Sequence, residues 1–386
     1  MQKEETGYVR KKIMLIAGEA SADHHGAKLL RALRKKNPRC VFFGIGGPLL
    51  REAGMETPVD ASELSHVGIT EALGGIVSIL RAMSRARDML QKRRPDLLIL
   101  IDLPDFNLPV AAFAKKLGIK VLYYISPQIW AWRRGRVKMI GERVDHMAVI
   151  LPFEEIFYRR HHIPVTFAGH PLMDKEIPVR KKDFTRTPVV ALLPGSRKGE
   201  IRRLLPPMLE AAEKLRQRIH GIRFVLSHSP SVDRAFLEDF SAASPCRAEV
   251  EIESGGLEKV FEKCSFAIAV SGTVTLETAL AGIPMVIIYK VSPVSYRLGK
   301  LLIKVPCISL VNLISGRMLV PELIQQDSSP DNIANTVSAM LKDIPGLIRL
   351  RKDLLFLRRR MGGPGASERV AELAMHMLGR PQQTEK

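Results

Sequence analysis

Residues 266–288 read FAIAVSGTVTLETALAGIPMVII, and the architecture of the rest of the chain can be worked out from this segment. The apolar run Phe266–Val270 predicts a strand buried on both faces, as in a parallel sheet. Small residues follow, and Thr273 is placed to cap a helix that ends at Gly282. A second apolar strand, Met285–Ile288, comes next. This order predicts one half of a doubly wound α/β domain.

The turn between the first strand and the helix predicts an anion site. Ser271, Gly272 and Thr273 are small, so their backbone amides can approach a phosphate at the positive end of the helix dipole. Glu277 lies one helical turn further on, where its carboxylate could accept both hydroxyls of a ribose. Together these residues predict a nucleoside diphosphate site. The alternative, which the pattern leaves open, is an ordinary turn with Glu277 as a solvated helix residue.

The length of 386 residues predicts two domains of ordinary size. The cysteines are far apart and form no CxxC pair, which argues against a zinc site or a disulfide framework and predicts a reducing cytosol. No apolar run reaches the ~18 residues of a membrane span. The polar N-terminus also lacks the apolar region of a signal peptide.

The formal charge of +19 is the strongest feature of the composition. Such a surface favours nucleic acid, anionic lipid headgroups or phosphorylated substrates. The basic residues are spread along the chain, and few aromatic residues alternate with them as base-stacking platforms would. We therefore expect a lipid or phosphate partner and no nucleic acid.

Two acids follow apolar strands in the first half of the chain. Glu19 comes after Lys12–Ala17, and Asp102 comes after Pro95–Ile101. Open α/β sheets bind ligands at the carboxyl ends of their strands, so both acids lie at a ligand-binding edge, and Asp102 is placed to act as a general base. Asp105 and Asn107 are predicted to cap the helix that follows Asp102.

An apolar segment, residues 65–83, is followed at once by arginines and lysines. Its apolar side chains recur at helical spacing: Val67, Ile69, Leu73, Ile76, Val77 and Leu80. One interpretation is an amphipathic helix buried on the sheet. The other is an apolar patch rimmed by cations that enters a membrane surface or holds acyl chains. Trp130 and Trp132, next to three arginines, likewise suggest a rim near a headgroup or a sugar.

The second half repeats the α/β alternation after a charged, proline-punctuated linker, residues 174–187. A predicted strand, Val189–Leu193, leads into Gly195, Ser196 and Arg197. The two small residues let backbone amides approach a phosphate, and the arginine adds a forked charge. Further on, Asn312 is predicted to be a polar group in an apolar loop.

The predicted fold class is therefore α/β, with two Rossmann-like doubly wound domains that face each other across a cleft, the GT-B type. We expect an N-terminal domain over residues 1–178 and a C-terminal, donor-binding domain over residues 179–355. The helices of residues 356–386 are expected either to pack back on the N-terminal domain or to be exchanged in a homodimer.

Seven short blocks, in this order, resemble the lipid-A-disaccharide synthase family over nearly the whole chain. They are AGEASAD (17–23), IDLPDFN (101–107), SPQIWAWR (126–133), FAGHP (167–171), LLPGSR (192–197), SGTVTLE (271–277) and LVNLISGR (310–317). The resemblance implies condensation of UDP-2,3-diacylglucosamine with 2,3-diacylglucosamine 1-phosphate (lipid X). It also implies inversion at the anomeric carbon.

The resemblance assigns a role to each site residue. Asp102 takes the proton from the acceptor hydroxyl, with Glu19 as the alternative base. Arg197 and the amides of residues 271–273 stabilise the leaving UDP without a metal, so we expect no cofactor. Glu277 holds the ribose, and Asn312 lies near the donor.

The resemblance also predicts where the enzyme works and which rivals must be excluded. The diacylated substrates imply a cytoplasmic enzyme peripherally bound to the anionic inner face of the inner membrane, through the segment with Val67 and Leu80. One rival is another GT-B enzyme, such as a UDP-N-acetylglucosamine 2-epimerase or a lipid-linked transferase of the peptidoglycan pathway. The other is a non-catalytic protein that binds nucleic acid or lipid through its charge.

Overall fold

The computed structural model describes residues 10–65, 72–132, 135–242, 250–292, 296 and 305–379. The chain folds as two compact units. The first unit combines Met1–Asp174 with Met361–Lys386, and the second unit is Lys175–Arg360. The chain thus enters the second unit after Asp174 and returns to the first after Arg360.

The described part of the first unit contains a sheet of seven parallel strands in the order β3-β2-β1-β4-β5-β6-β7. The strands are β1 (Lys12–Ala17), β2 (Val41–Gly46), β3 (Glu56–Asp60), β4 (Leu97–Ile101), β5 (Lys120–Tyr124), β6 (His146–Val149) and β7 (Val165–Phe167). The helices between them are α1 (Ala20–Lys36), α2 (Pro48–Glu52), α3 (Ser62–Ser65), α4 (Ala72–Arg93), α5 (Pro104–Lys116), α6 (Ile129–Trp132), α7 (Arg136–Arg143) and α8 (Pro152–Arg160). A 3₁₀ turn, Pro171–Asp174, ends this part of the chain.

Both faces of this sheet are covered, which explains the continuous apolar runs of its strands. Along β1, Met14 and Ile16 belong to the core on one face, whereas Ile13 and Leu15 belong to the core on the other. Every residue of β4 is buried. The two-residue repeat of a strand therefore supplies two separate cores from a single apolar segment.

The second unit is built around six parallel strands, among the residues that are described, in the order β10-β9-β8-β11-β12-β13. The strands are β8 (Val189–Leu193), β9 (Arg223–Ser227), β10 (Val250–Glu253), β11 (Phe266–Val270), β12 (Met285–Tyr289) and β13 (Glu322–Ile324). The helices are α9 (Lys198–Arg218), α10 (Arg234–Ala242), α11 (Gly256–Lys263), α12 (Thr273–Leu280), α13 (Leu310–Ser315), α14 (Pro330–Lys342) and α15 (Ile344–Arg360), with a 3₁₀ turn at Gln325–Ser328.

The last helix, α16 (Ala366–Met377), belongs to the first unit and packs on α1. Its buried residues Val370, Ala371 and Ala374 join the core that contains the apolar face of α1. An ion pair between Lys36 and Glu372, with 2.9 Å between Nζ and Oε1, lies beside this contact.

The strand order reverses direction once in each sheet, between β1 and β4 and between β8 and β11. In register, Ala17 is paired with Ile101 and Leu193 with Ala269, so the neighbouring strands end together. Crevices at such reversals are where open α/β sheets bind ligands. The predicted doubly wound α/β architecture is confirmed.

Candidate functional site

A pocket of about 450 Å³ lies at the carboxyl ends of β8, β9 and β11 in the second unit. The structure brings the predicted phosphate and ribose residues together there: Gly195, Ser196, Arg197, Ser271, Gly272, Thr273 and Glu277 all line it. Two loops that are far apart in sequence therefore meet at the reversal between β8 and β11.

The loop after β8 is shaped by Gly195, whose φ of 98° lies in the left-handed region. A Cβ atom at this position would lie 2.9 Å from Glu200 Oε2. The Ser196 carbonyl accepts a hydrogen bond from Ser231 Oγ at 2.9 Å, which ties this loop to the one after β9. Glycine therefore supplies both the turn and the room for the neighbouring carboxylate.

Arg197 is the N-cap residue of α9 and lines the pocket, with 82% of its side chain exposed. It donates a hydrogen bond to Glu200 Oε1 at 2.9 Å. Such an exposed ion pair contributes little to stability, so a phosphate can compete for the guanidinium. The sequence prediction did not include Glu200, although an acid in the first turn of the helix, beside an arginine, is the signal that indicates it.

The loop after β11 contributes fewer amides than predicted. The Ser271 amide donates to the Ile288 carbonyl at 3.1 Å and so belongs to the sheet. Gly272, rather than Thr273, occupies the N-cap position of α12, so the predicted threonine cap is wrong. The Thr275 amide already donates to the Gly272 carbonyl at 3.1 Å. Because the first amides of a helix have no partner inside it, those of Thr273 and Val274 are the donors that this turn offers to an anion.

Glu277 lies on α12 at the wall of the same pocket and is half-buried. Burial raises the pKa of its carboxyl, and the positive charge of Lys175 opposes that rise. An acid in this setting is suited to accept hydrogen bonds from ligand hydroxyls, which are neutral donors.

Asn312 is a buried helix residue, so the prediction that it lies in a loop is wrong. It lies in α13 and is 1% exposed. Its Nδ2 donates to the Val320 carbonyl at 2.9 Å and to Glu322 Oε1 at 2.7 Å. Its Oδ1 accepts from the amides of Leu319 and Val320 at 2.8 and 3.0 Å. The amide group is fully used by the protein, so it fixes the segment that leads into β13.

The loop after β9 also lines the pocket and was not predicted. His228 has its two ring nitrogens bonded to the Val232 carbonyl at 2.7 Å and to Ser254 Oγ at 3.1 Å. Because a carbonyl can only accept, Nε2 carries a proton and donates it to Val232. Ser229 Oγ lies 2.9 Å from Ser231 Oγ in the same loop. Small polar residues directly after a strand were the available signal.

In the first unit, Glu19 and Asp102 lie at the reversal between β1 and β4. Glu19 is the exposed N-cap residue of α1, and Asp102 follows β4 directly. Burial raises the pKa of Asp102, and the negative charge of Glu19 raises it further. The structure thus places the two predicted acids near enough to interact electrostatically.

The backbone at Asp102 is unusual. Asp102 has a φ of 51° and Leu103 a φ of 46°, both in the left-handed region. The Asp102 carbonyl accepts from Tyr123 Oη at 2.5 Å and from Asn107 Nδ2 at 2.6 Å. Strained backbone that its surroundings hold in place is concentrated at functional sites.

The predicted helix caps in this loop are wrong. Leu103 occupies the N-cap position of α5 and makes no side-chain hydrogen bond there. Asn107 is instead buried and supports the Asp102 carbonyl, as described above. Asp105 is exposed and forms an ion pair with Arg136 at 2.6 Å.

A buried polar cluster behind this loop was not predicted. Trp130 Nε1 donates to Glu154 Oε1 at 3.1 Å, and Ser126 Oγ lies 2.7 Å from Tyr158 Oη. Burial raises the pKa of Glu154 to about 8. Glu154 and Tyr158 are one helical turn apart on α8, so this helix holds the segment after β5 at two points. Trp130 is therefore a core residue and not part of an exposed rim.

The apolar segment of residues 65–83 is only partly described. Val67 and Ile69 lie outside the described residues, and so do the side chains of Leu73 and Ile76. On the described part of α4, Val77 is 46% and Leu80 is 62% exposed. Val77 and Leu80 therefore face solvent, whereas Ile79 and Met83 on the same helix pack against the core of the first unit.

The described residues contain neither a metal-type cluster nor a membrane-spanning helix. No cluster of three or more His, Cys, Asp or Glu side chains suited to a metal ion is found there. None of the described helices combines the length and the apolar character needed to cross a bilayer.

Comparison with known proteins gives a family match along most of the chain. The model of the family described as lipid-A-disaccharide synthetase matches residues 13–352. A lipid-A-disaccharide synthase of Geobacter sulfurreducens is 48% identical over 377 residues, covering 96% of this chain and 98% of that protein. One from Nitrosococcus oceani is 43% identical, covering 95% of this chain and 96% of that protein.

Solved structures share the fold at low sequence identity. UDP-GlcNAc 2-epimerase of Neisseria meningitidis has a TM-score of 0.62 at 12% identity, covering 95% of this chain and all of that one. MurG of Acinetobacter baumannii has a TM-score of 0.59 at 14% identity, with the same coverage. These likenesses confirm the predicted GT-B fold and carry no further statement about activity.

Proposed function

The chain belongs to the lipid-A-disaccharide synthetase family, and we propose that its second unit binds the sugar nucleotide while its first unit activates the acceptor. The enzyme condenses UDP-2,3-diacylglucosamine with 2,3-diacylglucosamine 1-phosphate in lipid A biosynthesis, and releases UDP. One observation carries our assignment of roles: the phosphate-type loops and the paired acids each lie at the strand-order reversal of their own sheet.

The proposed step is a single in-line displacement. The acceptor 6-hydroxyl oxygen forms a bond to the anomeric carbon of the donor while the bond from that carbon to the diphosphate oxygen breaks. UDP leaves with the bonding electron pair, and the base takes the hydroxyl proton. The α-linked donor therefore gives a β-linked disaccharide.

Donor binding is assigned to the pocket at β8 and β11. We place the diphosphate against Gly195, Ser196 and the first turn of α12, where outward amides and the helix dipole favour an anion. The Glu277 carboxylate accepts the ribose hydroxyls. Asn312, whose amide is already saturated, supports the protein and not the donor.

Acceptor activation is assigned to Asp102. Burial and the charge of Glu19 raise the pKa of Asp102, which makes its carboxylate a stronger base. The hydrogen bonds from Tyr123 and Asn107 fix the backbone that carries it. Glu19 tunes this base electrostatically and is the alternative proton acceptor.

We assign stabilisation of the negative charge that develops on the leaving UDP to hydrogen-bond donors of this chain. Arg197 moves from Glu200 to the departing diphosphate, and the amides at the start of α12 supply further donors. On this proposal the reaction needs no metal or other cofactor.

We assign the exposed end of α4 to the membrane surface. Val77 and Leu80 are exposed beside the exposed Arg81, so apolar side chains and a cation face the same way. An enzyme with diacylated substrates then works as a peripheral protein on the inner face of the inner membrane.

Exchange of residues 356–386 in a homodimer remains a separate proposal, which light scattering during gel filtration tests.

Turnover of the two lipid substrates in detergent, with a chelator present, tests the assignment. We expect disaccharide from the wild type and a loss of about 10²- to 10⁴-fold in kcat for Asp102→Ala. Asp105→Ala is the matched control, because it removes an exposed acid from the same loop. UDP should raise the melting temperature of both variants by the same amount as in the wild type.

Three results would contradict parts of the proposal. Full activity of Asp102→Ala would move the base to Glu19 or elsewhere. Loss of wild-type activity in chelator, restored by a divalent cation, would remove the metal-free step. An Asp105→Ala variant as inactive as Asp102→Ala would show that the loop, and not the Asp102 carboxylate, was tested.

A further inference from the structure

The outer face of α15 combines apolar and basic side chains. Ile348 and Phe356 are 44% and 51% exposed and lie on the solvent side of this helix. Four exposed cations share that side: Arg349, Lys352, Arg359 and Arg360. Isolated apolar residues on a surface need no explanation, but two large ones within a band of cations form an amphipathic face.

The opposite face of α15 already holds the helix in place. Leu347, Leu354 and Leu357 are buried. Arg351 donates to the carbonyl of Gly282, and Arg358 donates to that of Ile177 at 3.0 Å. Of the outer-face side chains only Arg360 shares in this anchoring within the described residues, since it donates to the Ile314 carbonyl at 3.1 Å. The remaining outer-face side chains are separate from those that hold α15 on the second unit.

Neighbouring groups extend the outer face. Met318, which is 57% exposed, follows Arg317, and Arg317 pairs with Asp353 of α15 at 2.6 Å. The guanidinium carbons of Arg359 and Arg360 lie 5.9 and 5.8 Å from the centre of the Phe356 ring. These cation–π contacts keep the positive charges beside the apolar side chain.

The charge balance of this segment indicates the kind of partner. Residues 342–360 contain seven basic and two acidic side chains. Of the two acids, Asp353 is neutralised by Arg317, and Asp343 lies 3.9 Å from Arg349. An excess of cations around exposed isoleucine and phenylalanine side chains is complementary to anionic headgroups above an apolar layer.

We propose that the outer face of α15 is a membrane-docking surface of the donor-binding unit, which binds an anionic bilayer through Ile348, Phe356 and the cations around them. The inference rests on the proposed membrane association of the enzyme and adds a contact separate from α4. The second unit then has an attachment to an anionic bilayer of its own.

Co-sedimentation of the full chain with vesicles tests this surface. The vesicles are phosphatidylcholine alone, or phosphatidylcholine mixed equally with phosphatidylglycerol. Ile348→Ser/Phe356→Ser should weaken partitioning to the mixed vesicles by about tenfold or more, since two apolar contacts are lost. Arg349→Gln/Lys352→Gln should weaken binding to the mixed vesicles and leave binding to phosphatidylcholine unchanged.

A matched control comes from two other exposed apolar residues. Ile156 and Val179 are 54% and 44% exposed, close to the values for Phe356 and Ile348. The cations beside them are paired, Arg159 with Glu155 and Arg180 with Glu262. Ile156→Ser/Val179→Ser should keep wild-type partitioning, and every variant should keep the wild-type circular dichroism and UDP-induced rise in melting temperature.

The possible failures are distinguishable. Wild-type protein that does not bind the mixed vesicles overturns both the membrane part of the proposed function and this inference. Wild-type binding that is unchanged in Ile348→Ser/Phe356→Ser overturns the inference alone. The inference is also overturned if that variant loses salt-dependent binding to duplex DNA while its vesicle binding stays intact.

Discussion

Replacement of Glu154 by glutamine should change the pH dependence of the stability of the first unit. Glu154 is buried and accepts hydrogen bonds from Trp130 Nε1 and from the Leu151 amide, each at 3.1 Å. Burial raises the pKa of Glu154 from 4.5 to about 8, since a buried carboxylate loses its hydration. The folded chain therefore keeps this proton at pH values where the unfolded chain has lost it.

The size of the effect follows from that difference in pKa. Each pH unit between the two values lowers the free energy of unfolding by about 1.4 kcal/mol. Glu154 should thus remove about 3 kcal/mol between about pH 5.5 and about pH 8. The stabilising contribution of Glu154 is fully present below its pKa in the unfolded chain. It is lost as the pH rises through its pKa in the folded chain. Glutamine does not titrate, so Glu154→Gln lacks this loss and still offers an oxygen to Trp130.

Tryptophan fluorescence during urea unfolding measures the effect, because Trp130 and Trp132 both lie in the first unit and the second unit has no tryptophan. Other titrating groups are common to both proteins, so the difference between their pH curves isolates Glu154. Glu155→Gln is the matched control, since the neighbouring Glu155 is only partly buried and is paired with the exposed Arg159. Parallel pH curves for wild type and Glu154→Gln would refute the reasoning.

Four further outcomes are expected. Glu277→Gln should remove the preference for UDP over 2′-deoxy-UDP in calorimetry, and an unchanged preference would contradict the ribose contact. Arg197→Ala should weaken UDP binding by about tenfold or more, because charged hydrogen bonds contribute about 1.5–3 kcal/mol, whereas equal affinity would remove Arg197 from the diphosphate site. Asn312→Ala should destabilise the second unit by about 2–4 kcal/mol, since buried partners lose their hydrogen bonds, and should leave UDP affinity unchanged. Unfolding followed by circular dichroism measures the loss of stability. Unchanged stability with weakened UDP binding would make Asn312 a ligand residue. In the pH profile of kcat/KM, the apparent pKa of the acid limb should lie above 3.8, the ordinary pKa of an aspartate. Glu19→Gln should lower that apparent pKa, because Glu19 raises the pKa of Asp102. An apparent pKa that does not change would contradict this coupling.

The sequence was sufficient wherever the chemistry is local. The strand, turn and helix of residues 266–280 and the loop at Gly195 follow from short apolar runs and small residues, and the structure contains both. Parallel strands end at one edge, so the residues after them could be assigned to one pocket without knowledge of the register.

The errors concern contacts that the local pattern does not encode. Asn312 resembles a loop residue because the groups that saturate it come from residues 318–322. The Ser271 amide is used by Ile288, a pairing that only the sheet register reveals. Glu154 lies in the helix PFEEIFYRR (Pro152–Arg160), and the spacing of apolar residues in this helix gives no indication that the Glu154 side chain is buried. Trp130 was assigned to an exposed rim because its buried partner is that same acid.

The return of α16 to the first unit has a consequence for synthesis on the ribosome. The apolar face of α1, which includes Leu29 and Leu30, is completed by a helix that is made only after the whole second unit. All of Lys175–Arg360 is made first, which takes roughly 20 s at about 10 residues per second. During that interval the first unit exposes apolar surface that a chaperone can bind. A fragment that stops at Asp174 would keep this surface uncovered permanently.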